Sequence, residues 1–250
     1  MSSPITSCSE LEARISELGF LPMFRNSLRG FSVEEMVDPR LWFNPDEDGP
    51  WEWKGPIIRS QQCAYGKFFG NKACYIDRRF LPDFINVRRA ASVRPSSQTD
   101  EFGLSQQSVL SAVTELETVR SDELKKSLGL SRPCRRTAFD PVDLLAAPLS
   151  ASHLSKGRSR VDKLLSDLMM QTRIVISDFE YPKSRAGKPY GWGLACYTTP
   201  EAFFGADAID PHGKTPDQSA ASLLEWLVNV VSSTIGQSVA PARVRGLFGI

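Results

Sequence analysis

The sequence predicts an α+β protein built from an aromatic-rich N-terminal region and a helical region that closes with a hairpin. Three observations predict it. The length of 250 residues and a hydrophobic share of 41% are those of an ordinary globular chain with one large or two small domains. Residues 57–77 alternate β-branched and aromatic residues around a turn. Beyond a polar stretch at 93–103, apolar residues recur at helical spacing in three successive segments and two strand-like runs follow.

Taken in order, the first helix is signalled by Ser9 and Glu12 as a capping box, by Leu11, Ile15 and Leu18 on one face and by Gly19 as a stop. Residues 21–56 carry Phe24, Phe31, Trp42, Phe43, Trp51 and Trp53, but their frequent Pro and Gly predict an ordered, irregular segment. The hairpin in 57–77 turns at Gly70-Asn71, and a short helix interrupted by Pro82 is expected from Arg78 to Arg89. The polar run 93–103 reads as a mobile linker and as the main domain boundary. Ser105 to Arg120, with Val109, Leu110, Val113, Leu116 and Val119, reads as one helix; a second starts with Ser121 as N-cap and ends before Gly129. A third is expected from about Lys156 to Met170, with Val161, Leu164, Leu165 and Leu168 inward. RIVISDF and YGWGLACYT are strands around the basic loop EYPKSRAGKP. A last helix has Thr215 and Gln218 as its capping box, Pro216 at its first position and Gly236 as its stop, and should dock on the core or on a partner.

Helix, helix, helix, hairpin is the order of a winged helix-turn-helix unit. The expected organisation is therefore 1–92 as the N-terminal region, 93–103 as linker, 104–205 as a winged-helix-like domain with an insertion at 132–155, and 206–250 as C-terminal helix and tail. The 25 residues between Leu130 and Lys156 exceed the three or four of a simple helix-turn-helix, so either part of the insertion extends the third helix or the motif is remodelled.

Composition narrows the chemistry. Two histidines, His153 and His212, leave little material for imidazole-dependent hydrolysis or a His-rich zinc site. Five cysteines, none closer than eleven residues to the next, write neither a CxxC knuckle nor a disulfide framework, so reduced thiols are expected. With no phosphate-binding glycine motif either, no cofactor and no metal are expected. The N-terminus lacks a charged and an apolar region of an export signal and no apolar run reaches eighteen residues, so the expected place is the cytoplasm, without membrane contact. The net charge of +1 conceals segregation: residues 1–56 hold 5 basic and 10 acidic side chains, 57–101 hold 8 and 4, and 120–163 hold 10 and 5.

In a winged helix the third helix enters the major groove and the wing meets phosphates, which needs cations on both. Lys156, Arg158, Arg160 and Lys163, with Ser159, supply the helix; Lys183, Arg185 and Lys188, with Tyr190 and Trp192 at the base, supply the wing. The aromatic-cationic runs Trp51-Glu52-Trp53-Lys54 and Tyr65-Gly66-Lys67-Phe68-Phe69 are of a kind that stacks on unpaired bases, although such residues are more often core. Glu52, between two tryptophans, is a candidate proton carrier if buried; bonding to nearby backbone is the plainer alternative.

The segments ELGFLPMF, GFSVEEMV, PWEWKGPIIRS, AYGKFFGNKACYI, RRFLPDFINVRR, DLMMQTRIVISDF and GKPYGWGLACYTTPEAFFG together resemble the bacterial AlkZ-related family, over about Leu18 to Arg89 and Val161 to Gly205. The resemblance implies kinship with AlkZ-type DNA glycosylases, which are assembled from winged helix-turn-helix units and hydrolyse the N-glycosidic bond of alkylated bases with a Gln-apolar-Gln or Gln-apolar-Asp motif. Here Gln98-Thr99-Asp100 has that spacing with a polar centre, and Met169-Met170-Gln171 has the second glutamine alone. Architecture and DNA carry over; the reaction does not. The first expectation is a DNA-binding protein, the second a divergent glycosylase with Gln171 or Glu52 near the chemistry, the third a protein-protein module using the basic helix and the C-terminal helix.

Overall fold

The computed structural model describes residues 3–44, 46–92, 94–130, 151–181 and 193–250. Among them is one six-stranded antiparallel sheet, in the order β1-β3-β2-β5-β6-β4. Its strands are β1 (Phe20–Pro22), β2 (Cys63–Phe69), β3 (Lys72–Asp77), β4 (Thr118–Arg120), β5 (Val175–Glu180) and β6 (Leu194–Thr198). Helix α1 (Cys8–Leu18) precedes β1, and α2 (Val33–Met36) and α3 (Pro50–Arg59) lie between β1 and β2. After β3 come α4 (Leu81–Ala91), α5 (Gln106–Glu115), α6 (Ser121–Ser127) and α7 (Ala151–Met170), and after β6 come α8 (Pro200–Phe204), α9 (Pro216–Ile235) and α10 (Pro241–Phe248). The protein is thus mixed α+β, as expected.

The N-terminal hairpin forms around Gly70-Asn71, with Tyr65 opposite Tyr75 and their rings 4.7 Å apart. Strand β2 is covered on both sides: Met169 of α7 accepts from the Lys67 N–H, while Phe68 and Phe69 pack on Phe84 of α4. Gly66 makes room for this, since a Cβ there would stand 2.9 Å from the Phe68 ring. Phe20, Phe69, Phe84 and Phe248 meet edge to face in the same core.

Several sequence expectations are corrected. The N-cap of α1 is Ser7, which accepts from Glu10 N, not Ser9. The supposedly irregular segment contains α3, which continues through Gly55 and Pro56 into residues expected to be strand. Burial of Trp53, Ile57 and Ile58 along one face outweighs the donor that Pro56 lacks. Residues 105–120 are not one helix: α5 stops at Glu115, Glu117 takes a φ of 58°, and Thr118–Arg120 leave to pair with β6. Helix α6 starts at Ser121 itself, with Arg120 as N-cap. Part of the expected insertion, residues 151–155, belongs to α7, and residues 131–150 lie outside the described set.

Residues 94–103, read as a mobile linker, are tied down by local bonds: Ser96 N donates to Gln106 Oε1, Gln107 N to the Ser96 carbonyl, and Asp100 Oδ1 accepts from Phe102 N and Leu104 N. Helix α9, expected to be the last but followed by α10, has the expected Thr215–Gln218 cap, and its buried face of Leu223, Leu227 and Val231 packs on the chain's own core beside α4. That face is therefore not left for a partner subunit. No helix among the described residues is long and apolar enough to cross a membrane.

Candidate nucleic-acid interface

Helix α7 turns Val161, Leu164, Leu165 and Leu168 into the core, as its 3.6-residue period requires. The four cations expected on its outer face separate into two pairs. Lys156 and Lys163 are exposed, with Ser159 between them and Asp167 3.5 Å from the Lys163 Nζ. Arg158 instead donates to the Leu130 carbonyl at 2.8 Å, and Arg160 Nε donates to Asp100 Oδ2 at 2.6 Å. Burial opposes charge on Asp100, but the Arg160 guanidinium and two backbone N–H groups more than offset it and hold the carboxyl below its ordinary value. Arg158 and Arg160 thus fasten α7 to the chain on either side of α5 and α6. The same outer surface carries an acid, Asp162, bonded to Lys125 at 2.6 Å.

Lys183, Arg185, Lys188, Tyr190 and Trp192 lie outside the described residues. At the end of β5, Arg120 of β4 joins Glu180 at 3.1 Å, and it also bonds Asp122 at 2.6 Å.

The two residues placed nearest to chemistry sit in unrelated surroundings. Glu52 is exposed on α3, and its Oε2 accepts from Gly49 N at 3.0 Å, a helix-capping bond. Gln171 follows the last residue of α7; its Nε2 reaches Gln106 Oε1 at 3.4 Å, and its buried Oε1 accepts no hydrogen bond among the described residues. Met169, ahead of it, is core. Gln98 is exposed, so Gln98-Thr99-Asp100 presents no joined pair of polar groups. His153 lies against Phe102, and His212 sits in a turn beside Asp210. No cluster of three or more metal-binding side chains occurs among the described residues.

Of the aromatic runs, Trp53, Tyr65, Phe68 and Phe69 are core. Trp51 is half-buried and stands in a surface group with Phe24, Trp42 and Phe43, the last 78% exposed. Beneath it the Lys54 ammonium lies 4.6 Å from the Trp51 ring centre and 4.1 Å from that of Phe179. Burial pushes Lys54 down to about 8.

Sequence reading missed two features. One is a cleft of about 540 Å³ lined by Asp77, Arg78, Arg79, Asp207, His212 and Lys214, among others. The other is a group of arginines, Arg89, Arg94 and Arg173, near the end of α7. Both join residues far apart in the chain, a proximity that no local spacing announces.

The model of a family described as AlkZ related matches residues 5–240. Comparison with curated proteins finds no match, and comparison with solved structures finds none either.

Proposed function

We propose that this chain, which belongs to the AlkZ-related family, is a bacterial cytoplasmic protein that binds duplex DNA through a winged helix-turn-helix unit. The observation that carries the reading is connectivity. Helices α5, α6 and α7 are followed by the β5–β6 hairpin, and β4, between the first two helices, pairs with β6 to give the order β5-β6-β4. A winged helix has this arrangement, with its third helix free to meet the major groove. In this reading Lys156, Ser159 and Lys163 are the contact stripe of α7. Arg158 and Arg160 position the helix, and Lys183, Arg185, Lys188 and Trp192 belong to the wing.

The reading concerns binding and no reaction. Glu52 caps a helix, and the Gln171 amide is spent on Gln106, a residue outside the Gln-apolar-Gln spacing. The family's kinship with glycosylases enters through the choice of probe, an alkylated duplex beside a plain one.

Mobility shift over a range of salt tests this. Replacing both Lys156 and Lys163 with Gln is expected to reduce the slope of log affinity against log salt by about two, roughly one per lost phosphate contact. Wild-type affinity for neither duplex at low salt, or an affinity indifferent to salt, sinks the proposal. Free base released from the alkylated duplex, and lost in Gln171→Ala, replaces it with the glycosylase reading.

A further inference from the structure

Where α7 ends, its first residue beyond the helix-terminal turn is held in an unusual conformation. Thr172 is buried and has a φ of 55°, a left-handed geometry in which a β-branched side chain is strained. The turn is fixed by the bonds from Thr172 N to the Met169 carbonyl and from Arg173 N to the Leu168 carbonyl. Its effect is to bring Arg173 beside Arg89 of α4 and Glu201 of α8. Arg89 is pinned, with Nη1 2.5 Å from Glu201 Oε1 and Nη2 donating to the Thr172 carbonyl at 3.0 Å.

Arg173 is left without an acceptor. It is half-buried, none of its guanidinium N–H groups donates to a described residue, and its Nε is fully shielded from solvent, as is that of Arg89. Burial weakens its charged form, and the nearby charges of Arg89 and Arg94 weaken it further, with Glu201 alone acting the other way. Arg94 is exposed and forms no ion pair with an acid among the described residues. Glu201, already bonded to Arg89, is the one acid acting on Arg173 against two guanidinium groups. Crowding like charges around unsatisfied donors is costly unless an anion completes the set, and the planar forks of arginine match the oxygens of a phosphate.

We infer that Arg89, Arg94 and Arg173 form a binding site for a phosphate group at the junction of α4, α8 and the start of β5. Arg173 and Arg94 supply the contacts, and Arg89, oriented by Glu201 and the Thr172 carbonyl, supplies fixed positive charge behind them. The phosphate is either a free one or a phosphodiester of the DNA backbone; only the second source rests on the DNA-binding reading.

The test uses the full chain and compares sodium phosphate with sodium chloride at equal ionic strength. Phosphate is expected to raise the wild-type melting temperature by about 3 °C, and the Arg94→Gln/Arg173→Gln double variant to lose that rise. The exposed Arg94→Gln single variant guards against misfolding: in chloride it should melt with the wild type, and in phosphate it should show a smaller rise. Loss of about one from the salt slope of duplex binding in the double variant assigns the phosphate to the DNA backbone. An unchanged slope, or a wild type that does not bind DNA, assigns the site to a free phosphate, provided the phosphate rise is present and lost on substitution. No phosphate-specific rise in the wild type, or one that survives both substitutions, overturns the inference.

Discussion

Lys54 shows how much a single residue can carry against its ordinary preference. An ammonium is usually solvated, yet this one is 8% exposed, has no ion pair among the described residues, and is compensated by the faces of Trp51 and Phe179. Its folded-state value of about 8 lies below the ordinary 10.5. Between those values the unfolded chain holds more protons than the folded one, so this group's contribution makes stability rise with pH over that window. Below pH 8 the penalty for the buried charge is fully present. Lys54→Met is therefore expected to be more stable than the wild type near pH 7, by about 1 kcal/mol after the lost ring contacts are counted. The advantage should close as the pH approaches 10.5. Denaturant unfolding of both proteins at several pH values checks this, and an advantage that widens with pH contradicts it.

At the scale of elements, caps and packing decide between readings that local composition leaves open. Helix α3 survives an internal Pro56 because its start is secured by Pro50 and by the Glu52–Gly49 bond, and its buried face is continuous. Glu52→Ala is expected to cost about 1 kcal/mol, whereas Glu52→Gln, which keeps an acceptor, should melt near the wild type; equal losses in both would show that the cap is not what Glu52 contributes. Elements whose signals are local were legible in the sequence: the Gly70-Asn71 turn, the Thr215–Gln218 cap with Gly236 beyond it, and the apolar face of α7. Strand β4 was not, because Val119 is in phase with the helix before it and only pairing with β6 pulls it away. The site was legible in the same measure. Cations could be counted along α7, but nothing local tells that Arg158 and Arg160 turn inward to Leu130 and Asp100 while Lys156 and Lys163 stay outside. Arg89 and Arg173 are 84 positions apart in sequence and meet only through the fold.

Across the whole molecule, contacts cross the segment 93–103 at many points. Tyr65 pairs with Ile176 in the sheet, Arg59 bonds Asp178 at 2.6 Å, and Arg89 bonds Glu201. Lys214 reaches Asp83 at 2.8 Å and Trp226 donates to the Leu18 carbonyl at 3.1 Å. Cleavage within 94–103 is therefore expected to leave the two fragments associated on size exclusion under native conditions, parting only on denaturation. Separate elution would mean that these contacts are too weak to hold them.

Phe248 gives the arrangement a temporal meaning. Its ring is fully buried against Phe20, Phe31 and Phe69, so the core around Phe20 is finished by a side chain made 228 residues later. On the ribosome that region emerges before Phe248 does and must wait with an aromatic gap at its centre. Its final packing waits until Phe248 has left the ribosome, and for that interval the nascent chain offers an apolar surface to chaperones.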